Sequence, residues 1–298
     1  MAKKRLIAYL KLTRFNEYVC FATFTTLLGI AAAKGELSLR WWLALLANWS
    51  AVGFAFIVNS IEDAPEDALD ENKFNHNPIS SGALTVTQAR LASYTAGLLA
   101  LILFAILGGK VILIGAISLI LGILYSWRGV RLKQLVFIDL LSHCWLFAGL
   151  QTLIGYFTFR GDVSSELIYP LLFVLCISFY GGIPNESRDN KHTYIRNLRQ
   201  TALVLGRRRT HVLMITVLGL GLSSGFAAFL FRIIPVWVAV FMLVLALLFT
   251  APVMLKPRPA QTPSELCPYY RKLLEAAAAV AMVSMYLVPA LTNWIKNL

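Results

Sequence analysis

Six of the chain's fifteen carboxylates fall in one stretch of fourteen residues, NSIEDAPEDALDEN, which begins at Asn59. Within it Asn59, Asp63 and Asp67 recur at i, i+4 and i+8, a spacing that stacks them on one face of a helix, and Asp70 follows nearly one turn later. Stacked carboxylates repel, so the arrangement is unfavourable without a compensating cation. A hard divalent ion such as Mg²⁺ removes that repulsion, because it prefers carboxylate oxygens, keeps several waters and shares itself with substrate phosphates. A second stretch, IPNESRDNKHT, sets Asn185, Asp189 and Thr193 at the same spacing, with Asn185 following Asn59 by 126 residues. Two such half-sites facing each other would hold metal ions that bridge one diphosphate. Arg188 inside the second stretch, and Arg131 and Lys133 in YSWRGVRLK, would complete the electrostatics.

Other polar residues carry blander readings. Glu66, Asp70 and Glu71, taken singly, read as solvated loop acids. Arg207, Arg208 and Arg209 read as lipid-headgroup and topology charges. His143 is ionisable at membrane depth, which makes it either a functional residue or a neutral, hydrogen-bonded packing histidine. Tyr125, Trp145, Tyr156 and Tyr180 read as belt or core aromatics, with a cation-stabilising wall as the sharper alternative.

The elements that must position these groups are membrane helices. Of 298 residues, 58% are hydrophobic and 14% charged, far below the roughly 25% charged of a soluble domain. Mean hydropathy is +0.69. Spans of about 20 apolar residues are expected at 17–33, 41–58, 91–109, 111–127, 135–159, 167–184, 211–231, 234–255 and 273–293. They predict an all-α, nine-helix integral membrane bundle forming one domain over 1–298, since lipid admits only helices and closed barrels and these runs are too long for barrel strands. The start, MAKKRLIAYLKLTRFNEY, reads as an amphipathic lead-in on the membrane surface rather than a signal peptide. Pro65 should disturb the helix that runs out of the second span, Thr85 to Gln88 reads as a capping box before the third, and Gly82 suits a turn.

The formal net charge is +12, yet the basic residues are distributed as topology signals and no nucleic-acid partner is expected. With the N-terminus inside, 21 of the 27 Lys and Arg fall on inside segments and 6 outside, which places the N-terminus and both polar loops (59–90 and 185–210) on the cytoplasmic side. Four cysteines lack CxxC spacing and support neither a disulfide framework nor a zinc site.

On these residues the chain resembles the UbiA-type membrane prenyltransferase superfamily across nearly its full length. The family's first motif, NDxxDxxxD-like, stands here as NSIEDAPED; its NRPLPSG-like signature as HNPISSGALT; its YS…RLK element as YSWRGVRLK; and its second motif as NESRDNKHT, followed by RQT and LG. Three positions depart from the pattern: Ser60 and Thr193 stand where the motifs have Asp, and Asn77 where the signature has Arg.

The resemblance implies Mg²⁺-dependent transfer of a prenyl group from an isoprenoid diphosphate to a hydrophobic acceptor within the lipid bilayer. It implies metal binding by Asn59, Asp63, Asp67, Asn185 and Asp189. The diphosphate would be gripped by Arg131, Lys133 and Arg188, with help from Lys73. Asp63, Asp189 and Arg188 would be the catalytic core. The Asn-x3-Asp-x3-Thr arrangement is also similar to the metal motif of class I terpene cyclases, which ionise the same diphosphates without an acceptor, and a non-catalytic lipid-binding or transport bundle is a third reading.

Overall fold

The computed structural model describes residues 2–189, 201–255 and 263–296. Its first helix, α1 (Ala2–Thr13), is the basic lead-in. Leu12 and Ala8 on one side of it are buried against Ile57, Leu84 and Ala89, while Leu6 and Leu10 stay exposed, so it lies across one end of the bundle. Arg14 takes the left-handed conformation (φ 50°) and turns the chain into α2 (Phe15–Ala32). There follow α3 (Leu39–Asp67), a single turn α4 (Glu71–Phe74), α5 (Val86–Leu107), α6 (Gly109–Ser126), α7 (Ile138–Cys144), a π-helical segment (Trp145–Gly149), α8 (Leu150–Phe159), α9 (Ser165–Asp189), α10 (Thr201–Leu230), α11 (Val236–Leu255) and α12 (Pro263–Lys296).

Among the described residues, nine helical stretches are long and apolar enough to cross a membrane, and they coincide with the nine apolar windows of the sequence. No strand occurs among them. The molecule is a multi-pass integral membrane protein built as a helical bundle. Between the third and fourth spans stands Gly108 alone; it and Gly109, the first residue of α6, are both at positive φ (71° and 54°), which glycine adopts without strain.

Small residues and a few polar staples hold the centre, as expected where lipid removes the hydrophobic drive between helices. The α2 and α8 backbones touch: a Cβ on Gly29 would lie 2.0 Å from the Thr152 carbonyl oxygen, and one on Gly155 would lie 2.2 Å from that of Thr26. Asn48 of α3, fully buried, donates to Thr26 Oγ1 (2.7 Å) and to the Gln151 carbonyl (3.1 Å), so one amide ties three helices. Nearer the site, the π segment is bridged by Gln151 Nε2 donating to the Leu146 carbonyl (3.0 Å). Such segments mark functional sites often enough to single out the fifth span.

Two local expectations hold. Thr85 Oγ1 accepts from Gln88 N (3.2 Å) while Gln88 Oε1 accepts from Thr85 N (3.0 Å), and Gly82 sits at φ 71°. One does not. Pro65 lies inside α3, which continues to Asp67 rather than unwinding. The lost backbone bond falls near the helix end, and that tail is held from outside: Asn77 Nδ2 donates to the Ser60 carbonyl (2.8 Å) and Ser80 Oγ to the Ala64 carbonyl (2.8 Å).

Candidate active site

The tail of α3 presents two acidic rows, not one. Asn59, Asp63 and Asp67 form the inner row, with Asp63 and Asp67 buried (7% and 4% exposed). Glu62 and Glu66, one residue earlier in each turn, form a second row beside it. Both rows face the loop after α6, residues 127–137, which carries YSWRGVRLK's cations.

That loop is folded tightly over the acids. Arg131 N donates to the Trp127 carbonyl (2.7 Å), and Arg131 itself sits in the left-handed region (φ 50°, ψ 59°). A non-glycine residue is held there only when its surroundings over-determine it. Here they do. Arg131 Nη1 and Nη2 each donate to Glu66 at 2.7 Å, and Nη2 also reaches Asp63 Oδ1 at 3.0 Å. The bond to Glu66 holds the guanidinium pKa above its ordinary value, against the opposing effect of burial. Arg128 Nε and Nη2 donate to the Glu62 carbonyl (3.2 and 2.9 Å), pinning the start of the loop to the outer row.

Lys133 occupies the centre. Its ammonium lies 2.7 Å from Asn59 Oδ1, from Asp63 Oδ1 and from Asp63 Oδ2. Burial pushes the Lys133 pKa below the usual lysine range, and Asp63 partly offsets that. Ser126 Oγ also donates to Asn59 Oδ1 (3.1 Å), which joins the end of α6 to the inner row.

A metal fit can be tested on this cradle. The three oxygens of Asn59 and Asp63 already close around a cation, the Lys133 ammonium, so the donor set has the charge and spacing a hard cation needs. Among the described residues no three His, Cys, Asp or Glu side chains cluster to hold a metal unaided. A divalent ion here would therefore draw on the Asn59 amide and on ligand oxygens, which suits Mg²⁺ shared with a diphosphate. Asp67, the third member of the row, is positioned by Asn77, whose Nδ2 donates to its Oδ2 (3.0 Å). Lys73 lies on the α4 turn near the end of α3, with its backbone N–H bonded to the Asp70 carbonyl (3.0 Å).

The second motif closes α9, which ends at Asp189. Four spans separate α3's tail from α9's, so Asp63 and Asp189 terminate helices at the same end of the bundle. The side chains of Asn185, Arg188 and Asp189, and the whole of Thr193, lie outside the described residues. The two halves are joined where Phe137 N donates to Thr201 Oγ1 (3.0 Å).

Two groups the sequence reads differently, Glu66 and Asn77, and one it does not single out, Asp139, are built into the site. Glu66 is not a solvated loop acid but the anchor of Arg131. Asn77, 1% exposed, is a saturated staple: it donates twice and accepts from Ile79 N (3.1 Å). Asp139, in the first turn of α7, accepts from Tyr125 OH (2.8 Å) beside the cradle. Asp139 stands six residues after Lys133 at the mouth of a span, the same kind of signal that drew attention to Asn59. Of the aromatics, Tyr125 is at the site. Trp145 points outward (37% exposed), and Tyr156 OH donates to the Asp162 carbonyl (3.0 Å) at the far end of the span.

By fold, the molecule falls in the class of UbiA-type membrane bundles. It superposes on a UbiA homolog from Archaeoglobus fulgidus, whose structure is bound to GPP and Mg²⁺, with TM-score 0.68 and 19% identity over 94% of this chain and 99% of that one. An apo UbiA homolog from Aeropyrum pernix K1 matches with TM-score 0.68 and 13% identity over 91% and 98% of the two chains. A digeranylgeranylglyceryl phosphate synthase matches with TM-score 0.66 and 16% identity over 94% and 99%. No curated protein sequence matches. The chain belongs to the UbiA prenyltransferase family, whose sequence model covers residues 22–270.

Proposed function

We propose that this protein is an intramembrane prenyltransferase that moves a prenyl group from an isoprenoid diphosphate to a hydrophobic acceptor in a Mg²⁺-dependent reaction. The observation that carries this reading is the Asn59–Asp63 oxygen cradle closed by Lys133 and Arg131 at the mouth of a membrane bundle, in a chain of the UbiA prenyltransferase family. The GPP and Mg²⁺ of the Archaeoglobus fulgidus homolog, and the DMAPP and Mg²⁺ of a second structure of that homolog, support the choice of donor and ion.

Asn59, Asp63 and Asp67 would hold Mg²⁺ on one side, and Asn185 and Asp189 on the other. When bound, the ion offsets the carboxylate charge and stabilises negative charge on a leaving diphosphate. Arg131, Lys133 and Arg188, with Lys73, grip the diphosphate and hold its scissile C–O bond at the top of the bundle. Arg131 is held in place for this by Glu66 and would give up its bond to Asp63. Lys133, now on Asn59 and Asp63, would be the group that turns from Asp63 to a phosphate oxygen. The helices below exclude water from the prenyl cation that ionisation creates. The polar loops face the cytoplasm on the basic-residue asymmetry, and residues 1–298 form one domain.

The test is to incubate purified protein with Mg²⁺ and prenyl diphosphates of several lengths, with and without aromatic, tetrapyrrole and glycerol-lipid acceptors. Products are identified by mass. Transfer predicts diphosphate release coupled to an acceptor adduct. Release from the donor alone with a cyclic product would instead identify a cyclase, and no release would leave a lipid-binding bundle.

A further inference from the structure

Transfer of a prenyl cation to any acceptor leaves one proton to remove, whether the acceptor is an aromatic ring or a hydroxyl. The carboxylates at the mouth of the bundle are poorly suited to take it. Asp63 is held by Lys133 and Arg131, Glu66 by Arg131, Asp67 by Asn77, and Asp139 by the Tyr125 hydroxyl. The base must also sit where the hydrocarbon chain and the acceptor meet, inside the span rather than above it.

His143 lies there. Leu141 and Trp145, two residues to either side, are exposed to the lipid face (49% and 37%), so the helical period turns His143 toward the bundle interior. The residue as a whole is half-buried, and its Nδ1 is buried without a hydrogen-bond partner. It is therefore not the satisfied packing histidine that a buried imidazole usually is. Its neighbours are rings: Phe147 at 4.7 Å between centroids and Tyr125 at 6.4 Å. From Phe147 the aromatic wall continues to Phe56 (5.2 Å) and Tyr18 (5.4 Å). Tyr125 adjoins Ser126, which touches the cradle through Asn59. The imidazole thus stands one ring away from the residue that touches the cradle, at the head of a row of aromatic side chains. The π segment that begins two residues later carries Phe147 into the same wall.

We propose that His143 is the proton acceptor that completes prenyl transfer, an inference that rests on the prenyltransferase reading above. The diphosphate departs with the electron pair of the C–O bond, and the acceptor's nucleophilic pair forms the new bond to the prenyl carbon. The acceptor's C–H or O–H bond then breaks, its electrons restoring the ring or leaving a neutral ether. The proton passes to an imidazole nitrogen lone pair.

Ionisation and deprotonation can be read separately. GPP labelled with ¹⁸O in its bridging position scrambles that label into the non-bridging positions each time the C–O bond ionises and re-forms. With Mg²⁺, labelled GPP and the acceptor class that wild-type protein consumes, His143→Gln should still scramble the bridge label. It should form adduct about 10²-fold more slowly than wild type, the lower end of what a general base supplies. In His143→Ala, added imidazole should restore adduct formation at least about tenfold while leaving the donor KM unchanged. Adduct formation by His143→Gln within about threefold of wild type would overturn the proposal. So would loss of label scrambling together with adduct in protein that elutes as wild type, because the residue would then be serving ionisation or packing. Absence of both scrambling and adduct in the wild-type protein would instead contradict the prenyltransferase reading itself.

Discussion

Arg131 and Glu66 meet through two hydrogen bonds of 2.7 Å each, although 65 residues of chain separate them. The pair clamps the basic loop onto the tail of α3 and leaves Nη2 able to reach Asp63 as well. Arg131 pays for this position with left-handed backbone, so its side-chain contacts are what keep the loop in place.

Glu66→Gln keeps the shape of that anchor but removes its charge. Arg131 should then lose its fixed orientation toward the diphosphate. Because Glu66 is partly exposed, a loss of about 1.4 kcal/mol is expected, which raises the donor KM about tenfold with kcat less affected. Initial-rate kinetics at saturating Mg²⁺ check this.

Asp63→Asn removes the carboxylate at the centre of the cradle while preserving its size. Turnover should fall by about 10²–10³-fold, the scale for loss of one charge-stabilising group in a preorganised site. Raised Mg²⁺ should recover part of the loss. Diphosphate release measured against Mg²⁺ concentration shows whether the apparent metal affinity has moved with the rate.

Asn77→Ala tests the staple rather than the chemistry. It leaves the Ser60 carbonyl and the Asp67 carboxylate without the amide that now bonds both. A destabilisation of about 1–3 kcal/mol is expected, the range for leaving buried polar groups unsatisfied. Thermal unfolding in detergent would register it as a lowered Tm, with any loss of activity following from the loosened α3 tail.

Gly155→Ala bears on the scaffold. Its new methyl would meet the Thr26 carbonyl oxygen at 2.2 Å, a backbone atom that cannot swing aside. Forcing α2 and α8 apart should cost about 1–3 kcal/mol or more. A Tm equal to wild type would show that the crossing is looser than described.

The elements of this fold were readable because lipid enforces them. Among the described residues the nine apolar windows coincide with nine helices long enough to span, and the double glycine at 108–109 proved enough to separate two of them. The inner row was readable too, since Asn59, Asp63 and Asp67 declare themselves by helical spacing alone. So were its partners Arg131 and Lys133, but the second row beside it was not. The spacing of Glu62 and Glu66 is equally helical, but their role depends on Arg128 and Arg131 arriving from another span. Nothing local to α3 encodes that arrival. Asn77 looked like a loss of charge where the family signature has Arg. In three dimensions it is a neutral amide satisfying a carboxylate and two backbone groups, a role that depends on the loop folding back on α3. Pro65 misled for the opposite reason, since a local rule predicted disruption that tertiary contacts to Ser60 and Ala64 override.

The central claim is that the α3 row and the basic loop form a magnesium-dependent diphosphate site. It is tested most directly by measuring diphosphate release from GPP in wild type, Asp63→Asn and Asp189→Ala, with Mg²⁺ present and then chelated. The account predicts release by wild type that stops on chelation, returns when Mg²⁺ is restored, and is nearly lost in both variants. Release that survives chelation, or that either variant sustains at the wild-type rate, would contradict it.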